Sequence, residues 1–481
     1  MSRRFFSDSE TAQTETGEYL IKMAQTDIPM QHLRTSSNAD IDDIVKTEQD
    51  FEEDGEKDQV IPHEKGESTV FQASFNMTKT IVGAGVFGLP IAYQKTGFVT
   101  VTVLIVVLGI LISWTLSVLL HAGLKAKHPS YHGLMHQCYG KIGSYSYALF
   151  SFLYAFGSMS AYTVIIGDTV PIVVRYLLGI ASENEPLSGV AAIMTDRRVV
   201  IVLASFLIML PISSIRQISK LAKFSVFALG AIVVIAICLV VSGFRLDPSL
   251  SGPTEVFTIF KESGIYGAIG TLCFAYVCHH NSFLIFRSLK EPTLENFSRV
   301  NYYSLGYAMT MSLVVGIAGF VIFGTKTSSN VLNGFSNLDL VANFARFLFA
   351  CDMFITYPLE LFVARNTINV LIFGKTTVPI PLWFHATITL LLISSTTLIG
   401  VLTCDLGFVL DLTGGFAAAV IAFVFPSLCM IKLNNTSLIA RENWAHLACV
   451  TFGLAVLVLT TWHTIADAFI AAPTQCKFIN F

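Results

Sequence analysis

Four sets of residues have the types and spacing to do chemistry. The first is Gly83-Ala84-Gly85-Val86-Phe87-Gly88-Leu89-Pro90, in the middle of an apolar run over residues 71–94. Glycine costs roughly 0.5–1 kcal/mol relative to alanine in a helix interior, and proline removes a backbone donor. A run long enough to cross a bilayer therefore breaks at its own midpoint. In lipid, unpaired backbone is tolerated only where protein buries it or where it lines a watery cavity. The N–H groups freed by such a break can hold a carboxylate, and the freed carbonyls a cation or an ammonium. The bland alternative is that the glycines only let helices approach closely. The second set, Cys278-His279-His280-Asn281-Ser282, lies inside another apolar run. Polar groups at that depth must face protein, ligand or water, and a local unwinding accounts for them economically. Zinc would need a further Cys or His at helical spacing, which is lacking, whereas a proton relay stays open. The third set is Asp352, Thr356 and Glu360, four residues apart and so on one helix face, with Pro358 among them. The fourth is Lys79, one turn before the first break. It either snorkels to the interface or, if buried, exchanges a proton.

These residues need long apolar elements to position them. The chain of 481 residues is 53% hydrophobic and 13% charged, with a mean hydropathy of +0.65. A soluble domain is usually about 25% charged, so this is a polytopic membrane protein. There is no basic stripe for nucleic acid, no P-loop, no CxxC among the cysteines, and no nucleophile–base pair or metal set. Hydropathy predicts about eleven spans: 71–94, 98–122, 144–177, 198–214, 222–244, 264–287, 301–324, 341–372, 383–403, 406–431 and 444–468. Only Cys404 and Asp405 separate spans 9 and 10. Residues 1–68 are polar and acidic-leaning, which predicts a disordered cytosolic tail. Residues 69–468 form the membrane domain and 469–481 a short non-cytosolic tail. The Lys and Arg bias of the loops puts the N-terminus in the cytosol. The sequons at Asn296, Asn434 and Asn435 then face the cytosol unused, and Cys404 and Cys476 share the opposite side. Breaks in spans 1 and 6 imply a 5+5 inverted repeat with the substrate at the midplane between them.

Phe75-Asn76-Met77-Thr78 with the glycine run that follows, the Cys-His-His-Asn-Ser-Phe of span 6, Thr356-Tyr357-Pro358 and the span order resemble the amino acid/auxin permease family. Within it, the sodium-coupled neutral amino acid transporter-like proteins and the fungal vacuolar transporters are most similar. The resemblance covers residues 70–468. It implies an all-α fold of the amino acid–polyamine–organocation (leucine-transporter) type, transport of amino acids, no enzymatic activity and a monomer. It implies that the backbone of Val82, Gly83, Ala84 and Gly85 faces the α-carboxylate. The backbone around Tyr276, Cys278, His280 and Asn281 then faces the α-amino group; Asn281 either orients that junction or caps a helix. Thr356 matches the hydroxyl of the family's sodium site and Asn76 an asparagine linked to it. Lys79 fits sodium poorly, because one positive charge beside another is costly in a poorly solvated site. The coupling ion is therefore H+ or Na+, and no other cofactor is expected. From the residues alone, an ion pair with Arg365 is expected for Glu360, and Asp352 either belongs to a cation site with Thr356 or lies near the outer surface. Asp168 and Asp411 are either functional or structurally hydrogen-bonded. Short loops without sequons suit a vacuole or lysosome better than a plasma membrane. A competing reading is an amino-acid sensor that signals through the N-terminal tail.

Overall fold

The computed structural model describes residues 66–128, 130–180, 188–215, 225–254, 258–261, 264–373 and 381–470. The first 65 residues and the last 11, with the tail and Cys476 expectations that fall on them, lie outside the described residues. Helices account for all eleven expected spans, and no strand is named among the described residues. Among the described residues, eight segments are long and apolar enough to cross a membrane by length and composition; spans 1 and 4 are built from shorter pieces, and span 5 is a single shorter apolar helix.

Span 1 is three helices, α1 (Val70–Ile81), α2 (Ala84–Phe87) and α3 (Leu89–Thr96). Thr69 starts α1 with a capping box: its hydroxyl accepts from the Gln72 N–H at 3.3 Å, and its own N–H donates to Gln72 Oε1 at 2.9 Å. Just upstream, Ser68 forms a parallel bridge across the end of span 6. Its N–H donates to the Ser288 carbonyl at 2.9 Å and its carbonyl accepts from the Lys290 N–H at 3.0 Å. Pro90 occupies the first turn of α3, where no intrahelical donor is lost.

The helix α4 (Phe98–Lys125) is span 2, and α5 (Tyr131–Leu177) contains span 3. Gly140, at φ 60° and ψ −150°, kinks α5 in a conformation that other residues avoid. The short helix before the kink is thereby set apart from the span proper. After α6 (Gly189–Thr195), span 4 runs through α7 (Arg197–Ala204), a π-helical turn (Ser205–Met209) and α8 (Leu210–Ser213). Span 5 is α9 (Ser225–Gly243). Span 6 breaks, as expected, between α10 (Ile265–Tyr276) and α11 (His279–Ser288). The helices α12 (Leu294–Phe323), α13 (Leu340–Phe373) and α14 (Leu382–Leu402) follow. Asp405 caps α15 (Leu406–Thr413) by accepting from the Phe408 N–H at 3.3 Å, so spans 9 and 10 do separate at Cys404 and Asp405. Span 10 continues through two π-helical stretches, Gly414–Ala418 and Val420–Val424, to α16 (Phe425–Asn434), and α17 (Trp444–Ile470) ends the described chain.

The breaks sit at the centre of this packing. The helix α10 contacts α3, α15 and α17, while α12 lies along α1 and α3, and α13 packs most extensively on α5. Buried apolar side chains from every span form one continuous core.

Candidate functional site

The two breaks meet. A Cβ built on Gly85 would stand 2.8 Å from Ala275 Cβ and 2.9 Å from its Cα, so α2 lies directly against the end of α10. The bland reading of the glycines therefore holds at Gly85. It does not hold at Gly83, where an added Cβ would meet nothing within 4 Å. Val82, Ala84 and Gly85 are buried beside it. In the first turn of α2 the Val86 N–H donates to the Gly83 carbonyl at 3.3 Å, and at the end of α1 the Thr78 carbonyl accepts from the Val82 N–H at 2.7 Å. The N–H groups before Val86 and the carbonyls after Thr78 are those that a helix end leaves without an intrahelical partner.

On the span 6 side, Tyr276, Cys278 and His279 are fully buried. The histidine pair divides. His279 Nε2 lies 3.0 Å from Thr115 Oγ1, which ties the junction to α4. His280 instead turns to α5, with its ring 5.3 Å from that of Tyr154, and both of its ring nitrogens are buried without a hydrogen bond. The Asn281 N–H donates to the Cys278 carbonyl at 3.0 Å across the break.

The third set changes most from expectation. Asp352 is not at a surface: it is 2% exposed and accepts from the Thr356 hydroxyl at 3.5 Å. Glu360 does not pair with Arg365, whose guanidinium donates to the Ser213 carbonyl and the Thr389 hydroxyl, each at 2.9 Å. The charge that acts on Glu360 and on Asp352 is Lys79. Its Nζ is buried and donates no hydrogen bond, so the side chain does not snorkel. Packing of α1 against the bundle fixes that direction, and a single helix's spacing does not contain it. Asn76 is exposed on α1, whereas Thr356 is half-buried. Tyr154 and Tyr162 of α5 join the cluster through their interactions with Glu360. They escaped the sequence reading, although Tyr154, Ser158 and Tyr162 recur every four residues on one face of an apolar helix, which is a legible signal.

The other intramembrane acids are hydrogen-bonded to neighbouring spans. Asp168 Oδ1 pairs with Arg197 Nε at 3.2 Å, and Asn333 Nδ2 donates to Oδ2 at 3.3 Å. Arg197 also donates to the carbonyls of Gly400 and Thr403, so the pair ties spans 3, 4 and 9 together. Asp411 accepts from the Thr271 hydroxyl and rests on Gly267, where a Cβ would lie 2.7 Å from its Oδ2. It borders a void of about 290 Å³, away from the Gly83 break, lined also by Lys95, Tyr266, Asp405 and His463. Cys404 is disulfide-bonded. No cluster of three or more metal-ligating side chains occurs among the described residues.

Two interrupted membrane helices in contact at their breaks, with polar groups converging from neighbouring spans, are the arrangement of the leucine-transporter fold. MhsT, crystallised in complex with L-phenylalanine, has that fold in common with this chain: the TM-score is 0.53 at 12% identity, covering 84% of this chain and all of MhsT. Residues 66–466 match the model of the transmembrane amino acid transporter protein family, and the chain belongs to that family. Relatives include a Danio rerio protein named "Putative sodium-coupled neutral amino acid transporter 11", 32% identical over 82% of this chain and 86% of its own length. Another is vacuolar amino acid transporter 2 of Saccharomyces cerevisiae, 29% identical over 83% of this chain and 84% of its own. Their names are those of transporters and not of enzymes, and they leave the sensor reading without support.

Proposed function

We propose that this protein is a secondary active transporter that moves neutral amino acids by alternating access, driven by protons and not by sodium. The observation that carries the proposal is the meeting of the two broken spans, with open space at Gly83 alone among the tightly packed glycines of the break. The substrate carboxylate binds the N–H groups after Val82 and Gly83. Its ammonium binds the carbonyls that end α10 near Tyr276, with Cys278, His280 and Asn281 beside the junction. Lys79 supplies a buried positive charge that acts on Asp352, the residue bonded to Thr356, and it and a sodium ion would not share a poorly solvated site. The exposure of Asn76 weighs in the same direction, because it removes one oxygen from a cage with Thr356. The membrane proposed is a vacuolar or lysosomal one, with the N-terminus cytosolic and the protein a monomer. The test is uptake of a mixed amino-acid panel into proteoliposomes, with proton and sodium gradients imposed separately. Uptake that follows a pH difference and ignores sodium is expected; uptake that follows sodium alone would refute the proton reading.

A further inference from the structure

Lys79 is one cation whose charge acts on two carboxylates. Its buried ammonium lies in the fields of Asp352 and Glu360. Of the two acids, Asp352 has a donor in Thr356. Glu360 Oε2 is buried and has none. The ionisable groups that face Glu360 can be named helix by helix. From α1 comes Lys79, and from α5 come the phenols of Tyr154 and Tyr162. His280 of α11 stands behind Tyr154. The segments 205–213 and 225–243, which also pack on α13, contain no acid or base except Cys238. Along α13 itself, Arg365 is turned to Ser213 and Thr389, and the Thr389 hydroxyl bonds the carbonyl of His385 on α14. With every group in its ordinary charge state the cluster has one positive and two negative charges. A buried group with net charge is strongly disfavoured. One further positive charge neutralises it. Oε2 is buried without a partner; a proton there needs no further ligand, whereas a metal ion needs a cage of oxygens.

We propose that Glu360 carries the coupling proton, with Lys79 and Asp352 as the two charges of the cluster that do not change. The carboxylate takes up one proton from the acidic compartment and gives it to the other, so the cluster is neutral when loaded and singly negative when empty. This rests on the transporter reading, and it assigns the proton to a carboxyl of α13 and not to the lysine of α1.

The test uses the full chain in proteoliposomes, with the membrane potential clamped by potassium and valinomycin and the same amino-acid panel as probe. The readout is the steady-state concentration ratio, which does not depend on rate. One proton per substrate sets about a tenfold ratio per pH unit, because tenfold is about 1.4 kcal/mol. Glu360→Gln, with the shape of the neutral acid and no proton to give, brings the ratio to one. Lys79→Gln leaves two acids without a cation and raises the ratio above that of the unmodified protein. If lysine were the carrier, that second variant would instead fall to one. A tenfold ratio retained by Glu360→Gln overturns the inference. Should Glu360→Gln move nothing, Lys79→Gln decides alone: a raised ratio supports the assignment and a ratio of one overturns it. An unmodified protein that moves no amino acid fails the transporter reading instead.

Discussion

The two glycines of the first break should respond in opposite ways to the same methyl group. In Gly85→Ala the new Cβ stands 2.8 Å from Ala275 Cβ, 2.9 Å from Ala275 Cα and 3.0 Å from Phe274 Cδ1. One of these neighbours is backbone and cannot rotate away, so α2 and α10 must separate by roughly half an ångström. Overpacking of this kind costs about 1–3 kcal/mol. In Gly83→Ala the methyl meets nothing within 4 Å, and the change in stability should stay within about 0.5 kcal/mol. What Gly83→Ala removes is space for ligand, and Gly83→Leu removes more. The assay pairs thermal unfolding of the purified protein, read by size-exclusion chromatography after heating, with amino-acid uptake in proteoliposomes. Gly85→Ala should melt below the unmodified protein. Gly83→Ala should melt with it and transport less, and Gly83→Leu should not transport. Equal melting of the two alanine variants would refute the packing argument. Full uptake by Gly83→Leu would remove the substrate from this break.

Three further outcomes are expected. Arg197→Ala leaves Asp168 buried without its cation and should cost about 3–5 kcal/mol, seen as a large loss of thermal stability that Asp168→Asn in the same chain partly restores. Thr356→Ala removes the hydroxyl that bonds Asp352 without touching a sodium ion; uptake measured against sodium concentration should be flat before and after the change, and a sodium response that shifts would contradict the proton reading. Thr69→Ala deletes the cap of α1 and should weaken that helix by about 1 kcal/mol, measured as faster amide hydrogen exchange over residues 70–75, while the same change at half-exposed, non-capping Thr80 should not.

The fold was legible because membrane spans are written locally. Glycine and proline mark the break of span 1, and polar residues at apolar depth mark that of span 6. The two residues between spans 9 and 10 sufficed because Asp405 is a good cap. The charged cluster was less legible. Spacing puts Asp352, Thr356 and Glu360 on one face of α13 but does not say what that face meets. Arg365, five residues along, was the nearest cation in sequence, and the actual one came from α1, 281 positions upstream of Glu360. Adjacent residues of a helix do not share a face, so His279 and His280 point apart, yet the Thr115 partner of His279 depends on how α4 packs. The π-helical stretches in spans 4 and 10 have no composition signal: Ser205–Met209 and Val420–Val424 read as ordinary apolar helix.

The bridge at Ser68 joins the two half-helices that lie on the same side of the breaks. The chain entering α1 is tied by two backbone hydrogen bonds to the chain leaving α11, and Gly66 fits so closely against the carbonyls of Arg287 and Leu289 that no side chain could stand there. The two halves are thus yoked at their far ends, as two doors are by a short chain. A motion that swings them together leaves the tie intact. A motion that parts them must first break both bonds, worth about 1 kcal/mol each. That is enough to change the population of a parted state by roughly 30-fold. The cost of parting the two half-helices is therefore set partly by a stretch of chain that belongs to no helix.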